Sequence, residues 1–394
     1  MFTIDALIKS AKASESQSLT LSKKRSTSQH LTLVAAKGEI NDIPYERVSE
    51  AFGFDNHPHV LNALVEGDIL LRCRVLEALT TVLALPQELV IYMKYGILEL
   101  VVSLIVIGLD EGKTNRSTQL SESEIKVQEL SARVLSVMAM SVCAHSEILK
   151  DEIITRIKPV FAAASSKRTC EHLYHALLSS TGSFTRARRL TSAGYLSVVL
   201  DHLKSHRLND ALRICALKLL KNLVNDGTND TTNHALELGV IAQCYKQLHS
   251  PNHEVRTASC DALAALGFMD KVRKAVVKHS EVVPRLCMLL NDKQQMVEAS
   301  SAGALMTLAA HDEIKRQIVA NKGLANINQL LQTKMVPLQL HTTKLVAVVA
   351  AHPEARRLLN VPATTQRLHT LIQGEDSMLA KSAQVALAAV QRQV

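Results

Sequence analysis

Apolar residues recur along most of this chain at helical spacing, and the helices group into a longer repeat. A small or apolar residue followed directly by Leu or Val, late in an amphipathic stretch, marks each group. The anchors are Ala78, Val134, Ala176, Leu219, Ala262, Ala304, Leu345 and Ala386, at intervals of 56, 42, 43, 43, 42, 41 and 41 residues. One helix face should carry apolar side chains seven residues before the anchor and one and four after it. Seven before stand Leu71, Val127, Thr169, Leu212, Val255, Val297, Leu338 and Leu379. One after stand Leu79, Leu135, Leu177, Leu220, Leu263, Leu305, Val346 and Leu387. Four after stand Val82, Met138, Ser180, Leu223, Leu266, Leu308, Val349 and Val390. Only Thr169 and Ser180 interrupt the stripe, and both belong to the third group.

Punctuation repeats with the stripe. Gly96, Gly194, Gly239 and Gly323 follow their anchors by 18, 18, 20 and 19 residues. A glycine there ends one helix with positive φ and lets the next start sharply. Pro86 and Pro353 both lie 8 residues after an anchor, where a helix begins. Pro284 sits in the first turn of VVPRLCMLL. Each group thus reads as a short helix, a glycine turn, a middle helix and a long helix. That order and a period near 42 are those of armadillo repeats, whereas HEAT units have two helices. The predicted fold is all-α, a right-handed armadillo-type superhelical solenoid of about eight three-helix repeats over residues 56–394.

Two stretches depart from the period. The interval of 56 contains a polar insertion at 110–123, DEGKTNRSTQLSES, expected to project as a loop. Residues 1–55 form a Ser/Lys-rich arm or cap, with Ser14, Ser16, Ser18, Ser22, Ser26 and Ser28 around Lys23-Lys24-Arg25. Helix-like runs at 2–12 and 31–37 favour partial helix there.

Composition fits the helical reading. Apolar residues make up 47% of the 394 and aromatics 3%, with no Trp, so Ala, Leu and Val build the core. With 14 Gly and 9 Pro, an all-β fold lacks its turns. The longest apolar run, Ile97 to Leu109, contains Glu99 and is too short to span a bilayer. No secretory signal is evident at the N-terminus, and Asp5 and Glu15 argue against a mitochondrial presequence. Seven cysteines (Cys73, Cys143, Cys170, Cys215, Cys244, Cys260 and Cys287) lie far apart, mostly in apolar runs, which suggests free thiols in a reducing compartment.

Catalytic signatures are missing from the sequence: it has no G-x-S-x-G, no H-E-x-x-H and no G-x-G-x-x-G. Gly112-Lys113-Thr114 lacks the earlier glycine of a phosphate loop, because that position is Ile107. Cys170, His172 and His175, and separately Asp201, His202 and His206, have helical metal-ligand spacing, but neither group has a complement nearby in sequence. No enzyme activity, cofactor or metal is expected.

The net charge of +8 favours acidic partners without specifying one. Candidate protein-binding cations are Arg186, Arg188 and Arg189, after Lys167-Arg168, then Lys271, Arg273, Lys274 and Lys278, with Arg356-Arg357 a third group. No aromatics interleave with them, so nucleic acid is not the expected partner. Armadillo proteins that carry extended peptides use an Asn on each long helix, with Trp beside it. The matching positions, three after the anchor, are Thr81, Val137, Ser179, Asn222, Ala265, Thr307, Val348 and Ala389. Only Asn222 fits, which points away from a peptide carrier and towards broad contacts with folded partners.

SSAGALMTLAAHDEIKRQIV (300–319) and TTKLVAVVAAHPEARRLL (342–359) resemble the closing repeats of the radial spoke head protein 14 family, armadillo proteins of motile cilia. The resemblance extends more loosely through LLRCRVLEALTTVL (70–83) and PQELVIYMKYGILELVVSLI (86–105). It implies a non-catalytic scaffold of the axonemal radial spoke in the cilium or flagellum, docking several spoke subunits in the cytoskeleton. The alternative is a soluble armadillo adaptor or transport factor that binds a regulatory protein reversibly.

Overall fold

The computed structural model describes residues 57–107, 120–163, 166–205, 208–226 and 228–392, and within them the protein is built of helices alone. The chain forms two compact units, one ending at Ser180 and one starting at Thr181. The first contains α1 (His57–Glu66), α2 (Ile69–Val82), α3 (Pro86–Lys94), α4 (Ile97–Ile105), α5 (Glu122–Met138), α6 (Val142–Ile148), α7 (Asp151–Ala163) and α8 (Lys167–Ser180). The second opens with α9 (Phe184–Ser192), α10 (Tyr195–Lys204), α11 (Asp210–Val224), α12 (Asn229–Glu237), α13 (Val240–Gln247), α14 (His253–Leu266), α15 (Asp270–Lys278) and α16 (Val282–Leu289). It continues with α17 (Gln295–Leu308), α18 (Asp312–Ala320), α19 (Ile327–Gln332), α20 (Val336–Val349), α21 (Pro353–Leu359), α22 (Pro362–Ile372) and α23 (Ser377–Gln391).

Every third helix from α2 onwards is a long helix carrying one anchor. Within the first unit α2, α5 and α8 stack in order; within the second, α11, α14, α17, α20 and α23 do the same. All eight anchors and the residues following them are buried. Of the positions seven before and four after, only Leu71 and Val82 on α2 are half-buried. Each fully buried Leu or Val contributes roughly 1.5–3 kcal/mol relative to exposure, so the stripe is the main stabiliser of each stack. Thr169 and Ser180 are buried despite their hydroxyls, so the third repeat keeps the packing and changes only the chemistry.

In several repeats the helix ends share a second feature, which hydrophobic spacing does not reveal. A long polar side chain six residues before the anchor reaches back to the carbonyls that close the middle helix. Arg72 donates to Val65 O at 2.6 Å, Gln128 to Ile105 O at 2.7 Å, and Gln339 to Leu331 O and Thr333 O at 3.0 and 2.9 Å. Arg256 donates to Ser250 O and Pro251 O, both at 2.9 Å. A basic side chain 11 residues after the anchor closes the long helix in the same way. His145 meets Ala139 O at 2.8 Å, Arg273 donates to Gly267 O and Phe268 O at 3.0 Å, and Arg356 to Ala350 O and Ala351 O at 3.0 and 3.3 Å. Terminal carbonyls have no partner inside their own helix and carry the negative end of its dipole, so cations fit there.

Three of the four expected turns have their glycine in the left-handed region, with φ of 82°, 78° and 78° at Gly96, Gly194 and Gly239. The fourth differs. Lys322 takes the positive φ of 55°, and Gly323 N–H bonds to Ile318 O at 2.8 Å while Lys322 N–H bonds to Val319 O at 3.0 Å. That pair of bonds is a Schellman ending shifted one residue earlier than expected. Gly323 answers a need for space instead: a Cβ there would lie 2.7 Å from Cys287 Sγ and 3.1 Å from Ile318 O.

The expected prolines stand at helix starts, with Pro86 and Pro353 opening α3 and α21. Residues 1–55 and most of the 110–123 insertion, including Gly112-Lys113-Thr114, lie outside the described residues. The insertion's last residues begin α5. Ser121 is its N-cap, accepting from Glu124 N–H at 3.3 Å while Glu124 accepts from Ser121 N–H at 2.8 Å. The loop therefore ends two residues before the boundary expected from composition.

Candidate protein-binding surfaces

Of the sequence-predicted cations, Arg186, Arg188 and Arg189 lie on α9. Arg186 Nε donates to Ser183 Oγ at 3.0 Å, and Arg188 and Arg189 are exposed. A buried carboxylate fixes this helix. Asp226 accepts from Thr191 Oγ1 at 3.1 Å, from Thr228 N–H and Oγ1 at 2.9 Å, and from Thr231 Oγ1. Its backbone carbonyl accepts from Arg188 at 3.4 Å. The network ties α9 to the start of α12 and holds Arg188 in place.

Lys271, Arg273, Lys274 and Lys278 lie on α15, and the structure separates their roles. Arg273 turns back as the cap of α14 and is not a free surface cation. Lys274 pairs with Asp270 at 2.7 Å and Lys271 donates to Asn233 Oδ1 at 2.9 Å. Lys278 is exposed on the last turn. The second expected cluster thus presents three lysines, one of them neutralised. Arg356, on α21, is likewise a cap, which leaves Arg357 exposed. Arg168 on α8 pairs with Glu129 at 3.3 Å.

The histidine groups do not converge. Cys170 is in the core, His172 is half-buried and His175 is exposed. Burial holds the His172 imidazole below its ordinary pKa. His202 is buried, whereas Asp201 is exposed and pairs with Lys204 at 2.9 Å; His206 lies outside the described residues. Among the described residues no cluster of three metal-ligating side chains forms, and no helix is long and apolar enough to cross a membrane. Burial pushes the thiols of Cys244 and Cys287 up to about 12, and Cys260 further still, so these cysteines act as packing groups.

Asn222, the single match to a peptide-binding ladder, donates its amide to Thr181 Oγ1 at 3.0 Å. The amide is thus engaged within the fold. Sequence reasoning missed the apolar residues that open several long helices. In the first unit Ile69, Leu70, Cys73 and Ile125 line an open cleft of about 660 Å³ between α2 and α5, rimmed by Glu122, Lys126 and Glu129. The signal was available as apolar residues eight or nine positions before an anchor, where the helix face points to solvent.

No protein-family profile matches the sequence, and no curated protein matches it significantly. Solved structures do match. An engineered protein from a structural genomics consortium aligns over 90% of this chain and 93% of its own, with a TM-score of 0.63 at 20% identity. A designed armadillo repeat protein aligns over 59% of this chain and 97% of its own, with a TM-score of 0.53 at 19% identity. Another designed armadillo repeat protein, solved in complex with the peptide (KR)4, covers 64% of this chain and 100% of its own at a TM-score of 0.50 and 17% identity. The chain has the all-helical armadillo-repeat fold.

Proposed function

We propose that this chain is a non-catalytic protein-binding scaffold, and that it works in the radial spoke of the ciliary axoneme. The observation that carries the scaffold reading is the in-register stacking of long helices within each unit. Stacking sets the solvent-facing side chains of successive repeats in rows, and the rows differ in chemistry from repeat to repeat. Armadillo folds are typically surfaces for other proteins, and the engaged Asn222 weakens the alternative of an extended-peptide carrier. The spoke placement is supported by the resemblance of 300–319 and 342–359, which fall on the consecutive pairs α17–α18 and α20–α21.

The placement is tested by fractionating ciliated cells. The protein is expected in salt-washed axonemes; recovery mainly in the soluble extract overturns the spoke reading. Reversing Lys271, Lys274 and Lys278 together to Glu tests the basic cluster as a contact. Reduced axonemal incorporation with unchanged helical content is expected, and unchanged incorporation removes the cluster from the binding surface.

A further inference from the structure

Three consecutive long helices of the second unit carry an exposed apolar side chain at their first or second residue. Met296 on α17 and Met378 on α23 each stand eight residues before their anchors, and Val336 on α20 stands nine before; they are 53%, 59% and 48% exposed. Met288, in the last turn of α16 leading into α17, is 64% exposed. The corresponding residues of α14, His253 and Glu254, are polar, so the row has a defined start. Gln295 Nε2 lies 3.5 Å from Thr333 Oγ1, which joins the start of α17 to the turn between α19 and α20.

Charge runs beside this row in the same register. Eleven residues before the anchors stand Lys293, Lys334 and Glu375, all exposed and none in an ion pair among the described residues. The neighbouring acids are already engaged: Asp292 is held by Arg256, and Asp376 caps α23 by accepting from Met378 and Leu379 N–H at 2.9 and 3.0 Å. We infer that the edge formed by the starts of α17, α20 and α23 binds an amphipathic acidic helix of a partner protein. Packed helices lie about 8–10 Å apart, and seven residues of helix rise about 10.5 Å, so a helix along the edge meets each repeat once per heptad. Its apolar residues sit on Met296, Val336 and Met378, where flexible methionines adapt to them. Acids one heptad apart meet Lys293 and Lys334, and a basic residue at the far end meets Glu375 and fixes the direction.

This inference rests on the scaffold reading, and its test separates the two. The probe is a synthetic helical peptide with Leu at three heptad positions, Glu beside the first two and Lys beside the third, titrated against the full chain by fluorescence anisotropy. The paired substitutions Met296→Glu with Met378→Glu, and Lys293→Glu with Lys334→Glu, alter exposed side chains, and thermal melts confirm folding. Each pair is expected to weaken binding by ~10-fold or more. A peptide with every charge reversed is expected to bind the lysine-reversed variant better than the unaltered chain. Equal affinity of all variants for both peptides overturns the inference. So does self-association abolished by Met296→Glu, which would assign the edge to a second copy, or displacement of the probe by a peptide of residues 2–12. If both paired variants incorporate into axonemes as the unaltered chain does, the edge is excluded while the scaffold reading stands. If the unaltered chain fails to incorporate, the spoke placement fails whatever the peptide does.

Discussion

Both units join successive repeats through polar contacts, and the second adds close packing to them. In the first, the joints are polar: Arg156 on α7 pairs with Glu99 on α4 at 2.8 Å and donates to Ser103 Oγ at 3.1 Å. Arg168 on α8 pairs with Glu129 on α5, and Thr169 and Ser180 put hydroxyls into the stripe. In the second unit polar joints recur, as where Lys221 on α11 pairs with Asp261 on α14 at 3.1 Å, but close packing accompanies them. Cβ atoms at Gly267, Gly303 and Gly323 would come within 2.3, 3.1 and 2.7 Å of Thr307, His341 and Cys287. His341 Nδ1 lies 2.8 Å from the Ala299 carbonyl of the preceding long helix. The principal ion pair there is secluded, with Arg256 and Asp292 side chains 13% and 10% exposed. Exposed pairs contribute little and are screened by salt, whereas close packing and buried pairs tolerate little change. One repeat plan therefore gives exposed ionic joints in both units and, in the second, joints that are also sensitive to side-chain size.

The comparison is broken most directly at Arg256, which bonds both Asp292 oxygens at 3.0 and 2.8 Å as well as two carbonyls. Arg256→Ala is expected to cost about 3 kcal/mol, because it strands a secluded carboxylate and two caps; chemical denaturation measures it. Burial pulls the Asp292 pKa upward, but bonds from Arg256 and the Gln294 N–H outweigh it and hold the carboxyl below its ordinary 3.8. A depressed folded value means that the stability is present above pH 3.8 and is lost as pH falls through the lower folded value. Acid titration of Arg256→Ala should show less of that loss than the unaltered chain; equal acid sensitivity would remove this pair from the cause.

Gly323→Ala tests packing in the same unit and should destabilise by about 2 kcal/mol, since the methyl meets a sulfur and a backbone carbonyl. A neutral result would mean that α16 and α18 can separate freely. In the first unit the buried Thr169 hydroxyl has no hydrogen-bond partner among the described residues. Thr169→Val should raise stability by up to about 1 kcal/mol in melting experiments. The smallest effect is expected from Arg156→Gln, below about 1 kcal/mol and diminishing with added salt, because both partners are substantially exposed.

The repeat was legible because helix stacking demands apolar side chains at fixed offsets, and a 42-residue period makes those offsets countable. The candidate surface was legible only in part. Arg273 and Arg356 read as surface charge because a cation looks the same in sequence whether it faces water or turns back onto a carbonyl. Their constant distance from the anchor was the available signal. Gly323 carried a second ambiguity, since glycine serves positive φ and lack of space alike. The methionine edge escaped notice because apolar residues outside the stripe blend into a chain already rich in them.

The borrowed caps also govern where this protein can be divided. A fragment that stops after α5, α14 or α20 leaves that helix without the side chain that finishes it: ending at α20 discards Arg356 and uncovers the Ala350 and Ala351 carbonyls. Autonomous pieces should instead end after a short helix, one element beyond the visible repeat boundary. At these three helices the covalent period and the capped unit are thus out of phase, and a swapped repeat keeps its finished helix only if the cut follows the cap.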